Sequence, residues 1–288
     1  MRVAAQSWSY VRVIDDALCR AVEEAVRAVA AAEVVPRWRQ LAAADISTKT
    51  GPGDLVTVAD REAEARLTEA LSALLPGSVV VGEEAAHADP GVLRRIAGDA
   101  PVWIVDPVDG TANFVAGKEE FATLVALAQG GDVLASWTYV PQLGLMATAR
   151  AGRGAWLDGQ PLRTAAAARA GEGEVLRVAT SQFSYLDEQE RRQFEGLGTD
   201  DVHARQCTCA GLDYLEVARG RLDAVAFTWE APWDHAAGLL LVTEAGGASL
   251  TAAGEPFRIG GGNTFPFSVA RDGETARRVV ELMGKGER

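Results

Sequence analysis

The chain has 288 residues, of which 48% are hydrophobic, so it can bury a sizeable core as one large domain or two small ones. Its net charge of −12 argues against nucleic acid as a partner, because that binding depends on clustered Lys and Arg side chains that neutralise phosphates. No apolar run approaches the ~20 residues of a membrane span, and residues 1–10 lack a signal-peptide pattern. We therefore expect a cytoplasmic protein that does not bind membranes.

The first part of the chain is predicted to alternate helices with short strands. Apolar residues at three- and four-residue spacing predict an amphipathic helix from Ser9 to Val34. A loop containing Lys49 follows, and a lone Lys in a loop is usually a solvated charge. Asp60 is then expected to cap a second helix, which begins at Arg61 and ends before Pro76.

Two predicted strands then deliver carboxylates at their carboxyl ends. The strand Val79–Val81 leads to Glu83, and the strand Val102–Val105 leads to Asp106, where the next residue is a proline that should end the strand. Asp109 follows three residues later. This run alone fits two consecutive turns as well as it fits a hard-cation site, in which Mg²⁺ is held by carboxylates together with substrate phosphate.

The rest of the chain is predicted to form an antiparallel meander and then a second α/β segment. Phe121–Ala128 and Asp132–Tyr139 should form a hairpin. An Ala-, Arg- and Gly-rich stretch, residues 164–173, is expected to separate an N-terminal lobe, residues 1–163, from a C-terminal lobe, residues 164–288. In the second lobe Asp234 is expected to cap a helix that two glycines end at residues 246 and 247.

Four carboxylates are thus expected to lie at the ends of regular elements: Glu83, Asp106, Asp109 and Asp234. In α/β architectures the carboxyl ends of strands and the starts of helices are where ligands bind, since backbone N–H groups and helix dipoles point there. Four carboxylates in one place repel one another unless cations separate them. Their placement and their charge both favour a metal site.

Three segments resemble signatures of the inositol monophosphatase family, which belongs to a larger group of Mg²⁺-dependent, Li⁺-sensitive sugar-phosphate phosphatases. Residues 82–84 resemble its G-E-E, residues 103–114 (WIVDPVDGTANF) are similar to W-I-x-D-P-[IL]-D-G-T-x-N-F, and residues 233–238 (WDHAAG) resemble W-D-x-A-[AG]-[GA]. The resemblance extends from about Ser9 to Ala270. It implies a layered α-β-α-β-α sandwich of the inositol monophosphatase and fructose-1,6-bisphosphatase type, in which the two lobes form one catalytic unit, and a homodimer.

The resemblance also implies a set of metal ligands. Glu83, Asp106 and the carbonyl of Val108 would hold one Mg²⁺. Asp106, Asp109 and Asp234 would hold a second Mg²⁺, so that Asp106 bridges the two ions.

Other positions carry catalytic roles by the same resemblance. Asp60 and Thr111 would orient and activate the attacking water, with Glu83 counted among the catalytic residues as well. The backbone N–H groups of Gly110 and Thr111 would hold the phosphate. Lys49 would belong to a mobile loop that closes over a third, weaker Mg²⁺ site.

The substrate-side positions depart from the family pattern. Inositol-specific members carry a Glu seven residues before the signature Asp, and this position is Phe227, whose ring cannot accept a hydrogen bond from a sugar hydroxyl. Glu230 lies nearby and is either its replacement or a solvated loop charge. Ser181, Cys209 and Ala210 occupy the places of other substrate-binding residues.

The expected function is therefore Mg²⁺-dependent hydrolysis of a small sugar, polyol or nucleotide-type phosphate. Histidinol phosphate, 3′-phosphoadenosine phosphate and fructose 1,6-bisphosphate are alternative substrates. In a different class, the chain could be a regulatory or binding protein that retains the metal site as a scaffold.

Overall fold

The structure is a computed structural model that describes residues 14–49, 54–164 and 175–285. The start of the predicted first helix, the middle of the Lys49 loop and nearly all of the predicted lobe boundary at 164–173 lie outside the described residues. The division into lobes therefore stays a prediction. Within the described residues, no helix combines the length and the apolar character needed to span a bilayer.

The described chain contains both helices and strands, with five consecutive strands, β5 to β9, in its middle part. The helices are α1 (Asp16–Val29), α2 (Val58–Leu74), α3 (Glu83–Ala88), α4 (Thr111–Val115), α5 (Glu188–Glu195), α6 (Ala210–Ala218), α7 (Pro232–Glu244) and α8 (Gly273–Met283). The strands are β1 (Ile46–Thr48), β2 (Leu55–Thr57), β3 (Val79–Gly82), β4 (Val102–Asp109), β5 (Ala122–Gln129), β6 (Asp132–Val140), β7 (Leu145–Arg150), β8 (Gly154–Leu157), β9 (Gln160–Leu162), β10 (Leu176–Thr180), β11 (Val202–Gln206), β12 (Ala224–Phe227), β13 (Ala248–Thr251) and β14 (Phe267–Ala270).

The strands form two main sheets and one small hairpin. The first sheet has seven strands in the order β3-β4-β5-β6-β7-β8-β9, with a parallel β3–β4 pair and antiparallel neighbours elsewhere. The second has five strands in the order β11-β10-β12-β14-β13, with β10 parallel to both of its neighbours. The predicted β5–β6 hairpin is confirmed, whereas the β1–β2 hairpin and β11 were not predicted.

Alternation along β4 determines what packs on each face of the first sheet. Trp103 and Val105 belong to a core cluster with Val22 of α1 and Leu67 of α2. Their neighbour Ile104 belongs instead to a cluster with α6 and α7. Because successive side chains of a strand point to opposite faces, the sheet has one pair of helices on each side.

The second sheet is covered in the same way. Val225 and Phe227 of β12 join the cluster that contains α6 and α7. Ala224 and Ala226 point to the opposite face, where they pack with Val279 and other residues of α8. The order of layers is α1/α2, first sheet, α6/α7, second sheet and α5/α8, so the expected α-β-α-β-α sandwich is confirmed.

Two predicted helix caps are wrong in detail. Helix α2 begins three residues earlier than expected, with Thr57 as its N-cap, and Asp60 completes a capping box from the third helical position. Helix α7 begins at Pro232, so Asp234 lies in its first turn rather than at the cap. In both helices the carboxylate stays near the positive end of the helix dipole.

The first helix also differs from its prediction. Regular α-helix stops at Val29, and one π-helical turn, Ala30–Val34, precedes a short 3₁₀ turn that contains Pro36. The proline lacks the N–H that a longer helix would need. The buried Glu33 in the π turn forms ion pairs with Arg37 and Arg66, which compensate its buried charge.

Candidate metal and phosphate site

The end of β4 and the turn after it form the base of the site. The strand continues through Pro107 to Asp109, contrary to the prediction that it ends at Asp106. Its register against β5 shifts between Asp106 and Asp109. Pro107 therefore lies at an irregular position, where the backbone N–H that it lacks is not needed for pairing with β5. Thr123 donates a hydrogen bond of 2.9 Å to the carbonyl of Pro107.

Gly110 turns the chain from β4 into α4. Its φ of 85° lies in the left-handed region, which favours glycine. A Cβ added here would lie 2.8 Å from the Cβ of Cys209 and 3.1 Å from the carbonyl oxygen of Glu120. Both the backbone conformation and the surrounding space therefore require a glycine between Asp109 and Thr111.

Asp109 and Asp234 are oriented by hydrogen bonds from the start of α6 and from the loop before α7. The N–H groups of Ala210 and Gly211, at the start of α6, donate to the Asp109 carboxylate at 3.2 and 2.6 Å. The indole N–H of Trp229 donates to Oδ2 of Asp234 at 2.6 Å. Each carboxylate therefore enters the site in a defined orientation.

The structure brings Asp106, Asp109 and Asp234 together, as the sequence predicts. Each offers a carboxylate oxygen within 4.8 Å of those of the other two. Asp106 is 2% exposed and accepts a hydrogen bond from the N–H of Val108 at 3.0 Å. In the part of the chain that the structure describes, no Lys, Arg or His forms an ion pair with any of these three aspartates.

A second acidic group adjoins the first and contains Asp60, Glu83 and Glu84. The Lys49 ammonium lies 2.6 Å from Oε1 of Glu83 and 2.5 Å from Oε1 of Glu84. Burial disfavours the Lys49 charge, but these two ion pairs outweigh it and hold its pKa above the ordinary value. Lys49 thus neutralises carboxylates here instead of being a solvated loop charge.

Asp60 and Thr111 form a hydrogen-bonded pair beside the metal-ligand candidates. The Thr111 hydroxyl lies 3.2 Å from Oδ1 of Asp60 and 3.0 Å from the carbonyl oxygen of Val108. The other oxygen of Asp60 accepts from the N–H and hydroxyl of Thr57. Burial raises the pKa of Asp60 in spite of the Thr57 hydrogen bonds.

Burial also raises the pKa of the clustered carboxyl groups. The pKa of Glu83 rises to about 8, that of Asp109 to about 7 and that of Asp234 to about 6, with neighbouring carboxylates adding to the effect at Glu83 and Asp109. Asp106, which is surrounded by the other three, has a pKa well above its ordinary value. These shifts show that burial, together with repulsion among the carboxylates at Glu83, Asp106 and Asp109, disfavours the ionised forms.

These residues fit a bound hard cation. The donors are carboxylate oxygens together with the Val108 carbonyl, which are the ligand types that Mg²⁺ prefers. The carboxylates are buried or partly buried and lie close together, and within the described residues no ion pair neutralises Asp106, Asp109 or Asp234. A bound cation would favour the ionised carboxylates and so offset the burial and the repulsion that raise their pKa values.

The structure divides the predicted substrate-side residues into two groups. Cys209 and Ala210 line the cavity above the carboxylates. Phe227 is fully buried among aromatic rings, and Glu230 accepts two hydrogen bonds from Asn263 at 2.8 and 2.5 Å. Neither of these two lines that cavity, and the buried Ser181 hydroxyl has no hydrogen-bond partner among the described residues.

Several supporting residues were not predicted. Glu64 of α2 accepts from the N–H groups of Glu84 and Ala85 at 2.8 and 2.9 Å, which orients the G-E-E segment. The Asn113 amide donates to the carbonyl of Thr208 at 2.7 Å and joins the β4 turn to the segment before α6. Asn113 belongs to the signature stretch. The Glu64 hydrogen bonds join residues 20 and 21 positions apart, and no motif in the sequence predicts them.

The layered fold and acidic groups that could hold a metal ion define the class of α/β protein, and comparisons with known proteins identify its family. A family model described as the inositol monophosphatase family matches residues 15–280. An inositol-1-monophosphatase of Rhizobium meliloti is 37% identical over 71% of this chain and 74% of its own length. A histidinol-phosphatase of Chlorobaculum parvum is 31% identical over 81% and 85%.

A solved structure agrees with this result. The IMPase of Thermotoga maritima superposes with a TM-score of 0.77 at 26% identity, covering 94% of this chain and 98% of its own. The chain belongs to the inositol monophosphatase family. It is a phosphoric monoester hydrolase, as the signature segments predict.

Proposed function

We propose that this phosphatase depends on Mg²⁺ and hydrolyses a small phosphorylated metabolite. The observation that carries the proposal is the cluster of Asp106, Asp109 and Asp234 beside a left-handed glycine turn. Asp106 and Asp109 are buried, Asp234 is partly buried, and none of the three has an ion-pair partner among the described residues. Glu83, Asp106 and the Val108 carbonyl would hold one Mg²⁺. Asp106, Asp109 and Asp234 would hold a second.

Bound Mg²⁺ supplies a lowered pKa for the attacking water and positive charge for the phosphate and the leaving oxygen. The residues of the chain provide orientation. The Thr111 hydroxyl is held between Asp60 and the Val108 carbonyl. Its oxygen can accept a proton from the attacking water while its own hydroxyl proton passes to Asp60. The N–H groups of Gly110 and Thr111 would hold the phosphate oxygens, and Lys49 would leave Glu83 when its loop admits a further ion.

Family membership supports four further proposals. The enzyme forms a homodimer, is inhibited by Li⁺, works in the cytoplasm, and divides into lobes 1–163 and 164–288 that act as one catalytic unit. For the substrate side, we propose contacts from Cys209 and Ala210, which line the cavity. Glu230 is not included, because its carboxylate is engaged by Asn263.

The test is phosphate release from a panel of monoesters, with Mg²⁺ and after treatment with EDTA. Asp106→Asn should abolish turnover, because it removes the ligand shared by both proposed ions. Asp99→Asn, an exposed substitution of the same kind, is the matched control and should retain wild-type activity. Retention of most activity in Asp106→Asn would contradict the two-metal proposal.

A further inference from the structure

The loop before α7, residues 228–231, joins β12 to the helix that carries Asp234. It presents the Trp229 indole, whose N–H donates to Oδ2 of Asp234 at 2.6 Å. The start of the helix provides no side-chain cap for this loop, because its N-cap residue is Ala231 and its first residue is Pro232. Contacts made by the residues of the loop itself must therefore hold the indole in place.

The loop is anchored to two different parts of the molecule. In the interior, Nε2 of the fully buried His235 lies 3.0 Å from the Trp229 carbonyl oxygen. The next residue, Glu230, makes the other contact: its Oε1 accepts from the backbone N–H of Asn263 at 2.8 Å and from the Asn263 side-chain amide at 2.5 Å. Glu230 does not line the cavity above the carboxylates. Its carboxylate is thus engaged with another segment of the chain and not with that cavity.

Asn263 is itself fixed before it meets Glu230. Its Oδ1 accepts from the N–H of Arg258 at 2.8 Å, and its Nδ2 donates to the Arg258 carbonyl at 2.8 Å, so the side chain closes the turn of residues 258–263. Gly261 and Gly262 have φ values of 93° and 79° in this turn, a conformation that favours glycine. The two hydrogens of the Asn263 amide are shared between Arg258 and Glu230. Glu230 therefore joins the loop before α7 to a turn that has its own hydrogen bonds.

We propose that Glu230 and Asn263 form a positioning pair for the metal site, which holds the loop before α7 so that the Trp229 indole stays on Asp234. A ligand that is already oriented binds a metal ion more tightly, because less order has to be imposed when the ion arrives. The inference rests on the proposed Mg²⁺-dependent function. It adds two residues that act on the metal site without contacting the ion or the substrate.

Two substitutions of Glu230 separate its hydrogen bonds from its charge. Glu230→Ala removes both hydrogen bonds, whereas Glu230→Gln keeps an acceptor oxygen, and both bonds go to a single oxygen. In calorimetric titration of the substrate-free protein with Mg²⁺, Glu230→Ala should bind about three- to tenfold more weakly than wild type, and Glu230→Gln within about twofold of it. An effect of the Glu230 charge on the ions would instead weaken binding equally in both variants, and that result would overturn the proposal.

The Trp229 indole reports its position without metal or turnover. In spectra of isotope-labelled protein in EDTA, its N–H resonance is the one among seven tryptophans that Trp229→Phe removes. A short hydrogen bond to a carboxylate shifts an N–H resonance downfield. Glu230→Ala should move this resonance upfield, and Glu230→Gln should leave it in place. Glu255→Ala is the matched control, because Glu255 is exposed and lies between β13 and β14; it should change neither the resonance nor the Mg²⁺ affinity.

A double-mutant cycle shows whether Glu230 acts through Trp229. In a Trp229→Phe background the indole donor is already absent, so Glu230→Ala should weaken Mg²⁺ binding no more than about twofold further. Additive losses in the double variant would overturn the proposal. Asn263→Asp tests the same contact from its other side, because it places a second carboxylate against Glu230. It should reproduce the loss caused by Glu230→Ala, and it serves as the test if Glu230→Ala does not fold.

The outcomes separate this inference from the proposed function. If Glu230→Ala is folded and has wild-type Mg²⁺ affinity, or an unmoved Trp229 resonance, the positioning pair is overturned and the phosphatase proposal stands. If the wild-type protein does not bind Mg²⁺, or releases no phosphate from the monoester panel with Mg²⁺ present, the proposed function is overturned and the inference with it.

Discussion

Replacing Trp229 by phenylalanine removes one hydrogen-bond donor from Asp234 and leaves an aromatic ring in its place. The indole N–H donates to Oδ2 of Asp234 at 2.6 Å, a short distance for a charge-assisted bond. The bond to Trp229 lowers the pKa of Asp234 against the larger effect of burial, which raises it. Without this hydrogen bond, the ionised form of Asp234, which is the form that binds metal, is less stable.

A hydrogen bond to a charged group is worth roughly 1.5–3 kcal/mol, and each 1.4 kcal/mol corresponds to a factor of about ten in a binding constant. We therefore expect Trp229→Phe to weaken Mg²⁺ binding about 10- to 100-fold, in the range found for residues that orient metal ligands. Calorimetric titration of the substrate-free protein with Mg²⁺ measures this directly. The rise in melting temperature with Mg²⁺ concentration gives an independent value.

Trp233→Phe is the matched control, because Trp233 is the same residue type, lies four residues further on in the first turn of α7 and packs against the core. It should leave the Mg²⁺ affinity within about twofold of wild type, since it removes no donor from Asp234. The reasoning is refuted if Trp229→Phe binds Mg²⁺ as tightly as wild type while remaining folded. Equal losses in the two variants would refute it as well, because they would trace the effect to packing.

Two further predictions concern stability and the glycine turn. Because the pKa values of Glu83 and Asp109 rise to about 8 and 7, the folded metal-free protein holds protons that the unfolded chain releases, so the melting temperature in EDTA should fall between pH 6.5 and 8. His235, with its pKa lowered to about 3, adds a smaller slope of opposite sign that fades above about pH 7.5, because only the unfolded histidine still binds part of a proton there. Saturating Mg²⁺ should abolish the fall; a melting temperature in EDTA that is constant or rises contradicts this reasoning. Gly110→Ala should lower stability by about 1–3 kcal/mol and reduce phosphate release, because alanine meets both a positive φ and the Cβ of Cys209 at 2.8 Å; wild-type melting and turnover would show that the turn tolerates a side chain.

His235 shows how the interior supports the same side of the site. Its Nε2 lies 3.0 Å from the carbonyl oxygen of Trp229 and its Nδ1 lies 3.0 Å from the Tyr214 hydroxyl. A carbonyl only accepts, so Nε2 carries the proton and Nδ1 accepts from tyrosine. The neutral ring, whose pKa burial lowers, thus anchors the loop that presents the Trp229 indole to Asp234.

The local character of the chain could be predicted from the amino-acid sequence. Strand periodicity placed β4, β5 and β6, and the strand ends placed Glu83 and Asp106 where ligands bind. The three signature segments indicated the family and its layered fold. These features can be predicted because they depend on residues close together in the chain, or on patterns that the family shares.

Contacts between distant residues were decided by the tertiary structure. A proline ends an isolated strand, yet β4 continues past Pro107 because the register shift against β5 removes the need for its N–H. Asp60 and Asp234 resemble helix caps in sequence, yet Thr57 caps the first of these helices and the second begins at Pro232. Capping depends on where the chain enters the helix, and residue type alone does not determine that point.

The substrate side depended most on tertiary structure. The sequence by itself predicted the carboxylate cluster, because its members lie in three short segments that resemble family signatures. Only the folded chain brought Glu190 to the cavity wall, engaged Glu230 with Asn263 and placed the Trp229 indole on Asp234. The reason is physical: a side chain's partner is set by which loops the sheets and helices bring together, and that packing is a property of the whole core.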